Sequence, residues 1–223
     1  RSPSEIKQYV INNDILDKIS LTINPEGVVF VARIPHLMMK KDEMILYLDN
    51  LQDPKGIIRQ AEYRACEIFG TEKTLFLTQG ATTGILSIMK TILRPGDRIL
   101  VARNCHKSVI NALILSGAIP VFVMPEFDRN LEISNQPTVD DYINKMDKHP
   151  NAKAVFVINP TYFGATNDLK RLAYEAHKRG MVALADEAHG AHLGFHPALP
   201  IAAMDADFDL SAVSMHKTGG ALT

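Results

Sequence analysis

The sequence predicts an α/β fold in three layers, in which helices cover both faces of a mostly parallel sheet. From about Thr74 onward, short apolar runs alternate with amphipathic stretches, which is the rhythm of strand–helix–strand units. The apolar runs are often β-branched and are apolar on both faces, as strands covered on both sides should be. Six strands are predicted in this way, over residues 74–78, 98–102, 120–124, 154–158, 182–185 and 210–214.

Capping residues between these strands predict where the helices begin and end. Asp53, followed by Pro54, is typical of a helix start and predicts a helix that runs towards Phe69. The next helix is predicted to begin at Thr82 or Thr83. Three further helices are predicted over residues 107–116, 139–148 (capped by Thr138) and 168–179.

Composition narrows the class of protein. The 223 residues carry a net charge of −1, which gives no electrostatic reason to expect nucleic-acid binding. No apolar run reaches the roughly 20 residues of a membrane span, and the first residues lack the apolar core of a signal peptide. Cys66 and Cys105 lack the spacing of a metal or redox pair, so we expect two free thiols and a cytoplasmic protein.

The chain divides into two predicted parts. Residues 1–52 lack the strand–helix rhythm and are expected to form an N-terminal arm that packs on the domain or on a partner subunit. Residues 53–223 form the predicted α/β domain. The chain ends six residues after Lys217, so we expect this domain to be truncated and the chain to be part of a longer protein.

Chemically active side chains follow several of the predicted strands. Ligands of parallel sheets bind outside the carboxyl ends of the strands, where these side chains should meet. Lys217 lies in a segment rich in Ser, His, Thr and Gly after the last strand, and Asp186 ends the strand before it. A lysine amine can form a Schiff base with the aldehyde of pyridoxal phosphate (PLP), and an aspartate can hold the pyridine nitrogen protonated. This pair therefore indicates a PLP enzyme.

Other segments at the same edge have two interpretations each. Residues 80–84 open a helix after a strand, and their amides suit either a phosphate or an ordinary strand-to-helix turn. His106 could lie flat over a pyridine ring or cap the helix that follows it. A metal could be considered for the group formed by Asp186, Glu187, His189 and His192. Their spacing fits no helical metal motif, so no metal site is predicted.

Two segments are specific enough to indicate a family: DEAHGAHLGFHP (residues 186–197) and SMHKTGGALT (residues 214–223). Further matching segments are residues 76–84, 95–98, 103–111 and 159–164. Together they resemble the Orn/Lys/Arg decarboxylase family, which are PLP enzymes of fold type I with an aspartate-aminotransferase-like large domain. The resemblance runs from about Leu48 to the end of the chain.

The resemblance implies a role for each candidate site residue. Lys217 would bind PLP as a Schiff base, Asp186 would pair with the pyridine nitrogen, and His106 would stack on the ring, and these three are the implied catalytic residues. The other implied ring contacts are Ala188 on the opposite face and, near the ring hydroxyl, His189 and Thr161. The implied phosphate ligands are Gly80, Ala81, Thr82, Thr83, Ser214 and His216.

The implied reaction is the loss of the α-carboxylate of a basic amino acid as CO₂. Arginine is favoured over lysine and ornithine, because the chain looks most like the shorter, Gram-positive-type members. The family also implies a homodimer or a larger homo-oligomer. Two segments depart from the family pattern. Residues 79–82 read Gln-Gly-Ala-Thr where Asn-Gly-Thr-Ser is usual, and residues 32–41 fit the arm motif of the family poorly.

Two other functions are left open by the sequence. Another fold type I enzyme, such as an aminotransferase or an aldolase, would use the same lysine and aspartate, and a fold does not fix a reaction. A truncated or degenerate homologue would instead act as a non-catalytic, partner-binding domain. The intact set of Lys217, Asp186 and His106 argues against this second alternative.

Overall fold

The computed structural model describes residues 49–221, which form two compact units over residues 49–79 and 80–221. Residues 1–48 of the predicted N-terminal arm lie outside the described residues. The domain boundary predicted at residue 53 stays a prediction. None of the helices within residues 49–221 has both the length and the apolar character needed to cross a membrane.

The first unit contains one helix, α1 (Ile57–Phe69), among its described residues. Asp49 caps this helix through hydrogen bonds of 2.8–3.3 Å from four backbone amides, those of Lys55, Gly56, Ile58 and Arg59. Desolvation acts to raise the pKa of Asp49, but these four hydrogen bonds lower it to about 2. The predicted helix start at Asp53 is wrong, because the capping carboxylate stands earlier in the chain.

The apolar run at residues 74–78 is not a strand. Its backbone is irregular, and Leu75, Phe76 and Leu77 are 56%, 37% and 46% exposed. A strand needs partners for its backbone amides and carbonyls, and this run pairs with no strand among residues 49–221. The prediction from hydrophobicity is therefore wrong here.

A parallel sheet of five strands forms the centre of the second unit. Its strands are β1 (Arg98–Ala102), β2 (Ile119–Val123), β5 (Ala152–Ile158), β6 (Val182–Glu187) and β7 (Leu210–Val213). They lie in the order β2-β1-β5-β6-β7, and they confirm the other five predicted strands to within two residues at each end. The hairpin of β3 (Phe127–Asp128) and β4 (Ile133–Ser134) was not predicted, because two-residue strands leave no period in the sequence.

Four helices cover the two faces of this sheet. They are α2 (Gly80–Ile92), α3 (Lys107–Ser116), α4 (Val139–Lys148) and α5 (Leu169–Lys178). Ile99 and Val101 of β1 are buried in one cluster with α2 and α3, whereas Leu100 and Ala102 are buried in a second cluster with α4 and α5. This alternation confirms the predicted three layers. Helix α2 begins at Gly80, so Thr82 and Thr83 lie in its first turn and do not precede it.

Thr138 caps α4 through a reciprocal pair of hydrogen bonds. The Asp141 amide donates to Thr138 Oγ1 at 3.2 Å, and the Thr138 amide donates to Asp141 Oδ2 at 2.9 Å. We expect Thr138→Ala to lower the free energy of unfolding by about 1 kcal/mol, since it removes the acceptor for the Asp141 amide. Chemical denaturation measures this change. Thr91→Ala, on the exposed side of α2, is the control, and equal losses in both variants would contradict a capping role.

Candidate active site

The carboxyl ends of β1, β5, β6 and β7 lie along one edge of the sheet, because these strands are parallel. Helix α2 leads back into the start of β1, so its first turn lies towards the same edge. The segments at this edge are the ones in which the sequence predicted the candidate site residues. They comprise residues 80–84, 104–107, 159–164, 186–189 and 214–217.

Lys217 and His189 follow different strands and are in contact. Lys217 Nζ lies 3.3 Å from His189 Nε2. Thr218 Oγ1 donates a hydrogen bond of 3.2 Å to the His189 carbonyl, which joins the two loops. An ammonium group can only donate, so His189 Nε2 is assigned as the acceptor and the ring proton is assigned to Nδ1.

His189 has an environment that favours the neutral imidazole. Burial lowers its pKa, and the charge of Lys217 lowers it further, whereas the carboxylate of Asp186 acts in the opposite direction. The ring of Tyr162 meets the His189 ring edge-on, with 5.5 Å between the centroids. Tyr162 is 80% exposed, so this contact lies on the open side of the site.

Asp186 is a buried carboxylate that lies near one lysine and two histidines. It is 4% exposed, and its Oδ1 accepts a hydrogen bond of 3.0 Å from the Ala188 amide. Burial raises the pKa of Asp186, whereas this hydrogen bond lowers it, as do His106, Lys217 and His189 when they are protonated. Asp186 therefore lies close enough to His106, Lys217 and His189 to interact with them electrostatically. All four are predicted site residues.

His106 caps α3. The amide of Ser108 donates to His106 Nδ1 at 3.2 Å, and the Ser108 hydroxyl lies 2.8 Å from the same nitrogen. The capping interpretation is therefore confirmed. It leaves the imidazole ring exposed at the carboxyl edge of β1, so capping and ring stacking are compatible. Stacking on a cofactor stays a prediction.

The predicted phosphate ligands come from two elements at this edge. Residues 80–83 form the first turn of α2, and the amides of residues 80–82 precede the first hydrogen bond of the helix. Ser214 is buried directly after β7, and His216 is exposed two residues later. Helix α2 packs on β7 through Ile85 and Ala212, which belong to the same apolar cluster.

Thr161 is more firmly engaged in its own turn than the sequence predicted. It is 3% exposed, and its hydroxyl accepts a hydrogen bond of 3.1 Å from the Ala165 amide. The Gly164 amide donates to its carbonyl at 3.0 Å. A contact of Thr161 with a ring hydroxyl stays a prediction.

The acidic residues that end β6 do not converge on one point. Asp186 and Glu187 are adjacent on the strand, so their side chains lie on opposite faces of the sheet. Across residues 49–221, no three His, Cys, Asp or Glu side chains are grouped in a way that could hold a metal ion.

Sequence reasoning gave no role to three residues of this edge: Asn159, Tyr162 and Glu187. Asn159 and Glu187 are buried and hydrogen-bonded to each other, and the ring of Tyr162 contacts the ring of His189. A signal was available for two of them, since Asn159 and Tyr162 lie in segment 159–164, which carries part of the family resemblance. Glu187 was considered only as a metal ligand.

A known protein family matches most of this chain, including the segments that form the candidate site. The Orn/Lys/Arg decarboxylase family, by its major domain, matches residues 20–223. The chain belongs to this family. The match confirms the resemblance seen in the segments that surround Asp186 and Lys217.

Two relatives show how much of an Orn/Lys/Arg decarboxylase the chain represents. It is 46% identical over 176 residues to an arginine decarboxylase of Bacillus subtilis, which covers 79% of this chain and 36% of that protein. It is 29% identical over 161 residues to a lysine decarboxylase of Pseudomonas aeruginosa, which covers 67% of this chain and 21% of that protein. The chain thus spans about a third of the Bacillus relative and about a fifth of the Pseudomonas one.

Solved structures share the fold of this Orn/Lys/Arg decarboxylase family member. A serine palmitoyltransferase of Sphingomonas wittichii matches with a TM-score of 0.59 and 21% identity, over 73% of this chain and 39% of that one. A structure of SPT with PLP matches with a TM-score of 0.57 and 20% identity, over 73% of this chain and 40% of that one. These matches confirm the predicted fold type I, α/β class.

Proposed function

We propose that this chain is the PLP-binding part of an enzyme that removes the α-carboxylate of a basic amino acid as CO₂, with arginine favoured over lysine and ornithine. The observation that carries the proposal is the contact of Lys217 with His189, beside the buried carboxylate of Asp186. The 46% identity to an arginine decarboxylase supports arginine, and the lysine decarboxylase relative keeps lysine as the next candidate.

The residues at the carboxyl edge fit PLP. Asp186 is a buried carboxylate whose raised pKa reflects mainly its burial, and a protonated pyridine nitrogen is a suitable cationic partner for it. The exposed amine of Lys217 is accessible to an aldehyde. The other residues that would hold PLP are His106 and Ala188 against the ring, His189 and Thr161 near the ring hydroxyl, and Gly80, Ala81, Thr82, Thr83, Ser214 and His216 at the phosphate.

The roles of the side chains follow from their charges. When bound, PLP supplies an electron sink for the carbon that loses CO₂. Asp186 keeps a proton on its partner nitrogen because a buried carboxylate favours a cation beside it. Neutral His189 accepts a hydrogen bond from the Lys217 ammonium and so fixes the direction in which the amine points. The predicted homodimer and cytoplasmic location remain predictions for the full-length protein.

The test is an assay of the full-length protein with PLP and, separately, arginine, lysine and ornithine. We expect CO₂ release to be fastest from arginine, with agmatine as the product. Protein reduced with borohydride in the presence of PLP is the control, because the amine of Lys217 is then blocked. Absence of CO₂ from all three amino acids would contradict the proposal. Amino-group transfer without CO₂ would indicate an aminotransferase, and failure to bind PLP would indicate a non-catalytic homologue.

A further inference from the structure

A second buried carboxylate, that of Glu187, lies next to Asp186 along β6. Glu187 is 3% exposed, and it is the next residue on β6, so its side chain lies on the other face of the sheet. It therefore cannot reach the group that Asp186 faces, and the reaction proposed above does not use it. Burial of a carboxylate is unfavourable unless hydrogen bonds compensate for it, which raises the question of what Glu187 does.

Glu187 interacts with three different segments and accepts hydrogen bonds from two of them. Asn159 Nδ2, directly after β5, donates to Glu187 Oε1 at 3.0 Å. The amide of Ala203, in the loop before β7, donates to the same oxygen at 2.9 Å. Ser211, on β7, lies close enough to act on this carboxylate, because its hydroxyl lowers the pKa of Glu187 against the effect of burial. One side chain thus links the ends of β5 and β6, the loop that follows them and the strand that leads to Lys217.

Asn159 donates hydrogen bonds to both Asp186 and Glu187. Its backbone amide donates to the backbone carbonyl of Asp186 at 2.9 Å, while its side-chain amide donates to the Glu187 carboxylate. The turn after β6 is also packed tightly here, because a Cβ on Gly190 would lie 2.6 Å from the Asn159 carbonyl oxygen and 3.1 Å from Glu187 Cβ. His189 lies within this turn, so its position depends on the same contacts.

We propose that Glu187, held by Asn159, is a positioning residue that fixes Asp186, His189 and the strand before Lys217 relative to one another. This inference rests on the proposed function, since it concerns the placement of the residues that would bind PLP. Its physical basis is that interactions with three segments define one geometry, whereas an apolar side chain at this position would leave the donors of Asn159 and Ala203 without this acceptor.

Two variants of the full-length protein separate positioning from charge. Glu187→Gln keeps an oxygen that accepts from Asn159 and Ala203, and Glu187→Ala removes every acceptor. We expect Glu187→Ala to weaken PLP binding by about 10-fold to 100-fold, the range typical of a displaced reactive group. The binding is measured from the absorbance of PLP. The midpoint of the pH dependence of the PLP absorbance should shift in the same variant. Glu187→Gln should restore both to near the wild-type values.

The controls distinguish this inference from simple loss of stability. The thermal midpoint is measured for each variant, and Asn159→Ala serves as a milder variant if Glu187→Ala does not fold. Wild-type PLP binding in both Glu187→Ala and Asn159→Ala would overturn the inference, as would equal loss in Glu187→Gln and Glu187→Ala. If the wild-type protein itself neither binds PLP nor releases CO₂, the proposed function fails. If the wild-type protein binds PLP and releases CO₂, and the variants bind PLP as tightly, the proposed function stands and the positioning role fails.

Discussion

Replacing Lys217 by alanine is expected to abolish covalent attachment of PLP and, with it, CO₂ release from basic amino acids. The reason is that Lys217 carries the amine that contacts His189 and lies near the carboxylate of Asp186. The measurement is reduction with borohydride in the presence of PLP, followed by mass spectrometry of the digested protein. In the wild type we expect the added mass on the peptide that contains Lys217, and in Lys217→Ala we expect none above background.

A matched control is Lys153→Ala. Lys153 is exposed and lies near the amino end of β5, at the opposite edge of the sheet from the candidate site. Its replacement removes one exposed amine, and the label on Lys217 should be unchanged. Label retained at the wild-type level on another lysine of Lys217→Ala would contradict the role of Lys217. An unlabelled wild type would contradict the assignment of PLP to this site.

Sequence patterns predicted the elements whose signals are local. Helix α4 was predicted with its bounds because Thr138, a capping residue, stands directly before its first residue, and β1 was predicted because it is apolar on both faces. The run at residues 74–78 failed for the opposite reason. It has the composition of a strand, but pairing depends on a partner elsewhere in the chain, which composition does not encode.

The same limit divides the candidate site. Lys217 and Asp186 were found because each follows a strand and each has a side chain suited to PLP. The Asn159–Glu187 hydrogen bond joins residues 28 positions apart, so no local pattern predicts it. His106 shows a third case, in which two interpretations of one residue were left open and the fold makes them compatible, because the capping nitrogen leaves the ring exposed.

The second large effect is expected for Asp186→Asn. We expect loss of CO₂ release by about 10²- to 10³-fold, the cost of removing one preorganised electrostatic group from an active site. An amide cannot favour a protonated pyridine nitrogen as a carboxylate does. Asparagine has nearly the same shape, and its Oδ1 can still accept the hydrogen bond from the Ala188 amide, so the turn after β6 should be retained. The measurements are steady-state CO₂ release and the absorbance spectrum of bound PLP.

The same substitution should stabilise the protein at neutral pH when no PLP is added. Burial raises the pKa of Asp186 above its ordinary value of 3.8, so the folded state holds the proton more tightly than the unfolded state does. The contribution of Asp186 to stability therefore falls as pH rises from about 3.8 through the raised pKa, and Asp186→Asn lacks this loss. Its thermal midpoint should exceed that of the wild type at pH 7 and approach it near pH 3. Glu132→Gln, which removes the charge of an exposed side chain, is the control. A lower midpoint for Asp186→Asn at pH 7 would show that Lys217 and the nearby histidines already compensate for the buried charge, and that this site is stable without PLP.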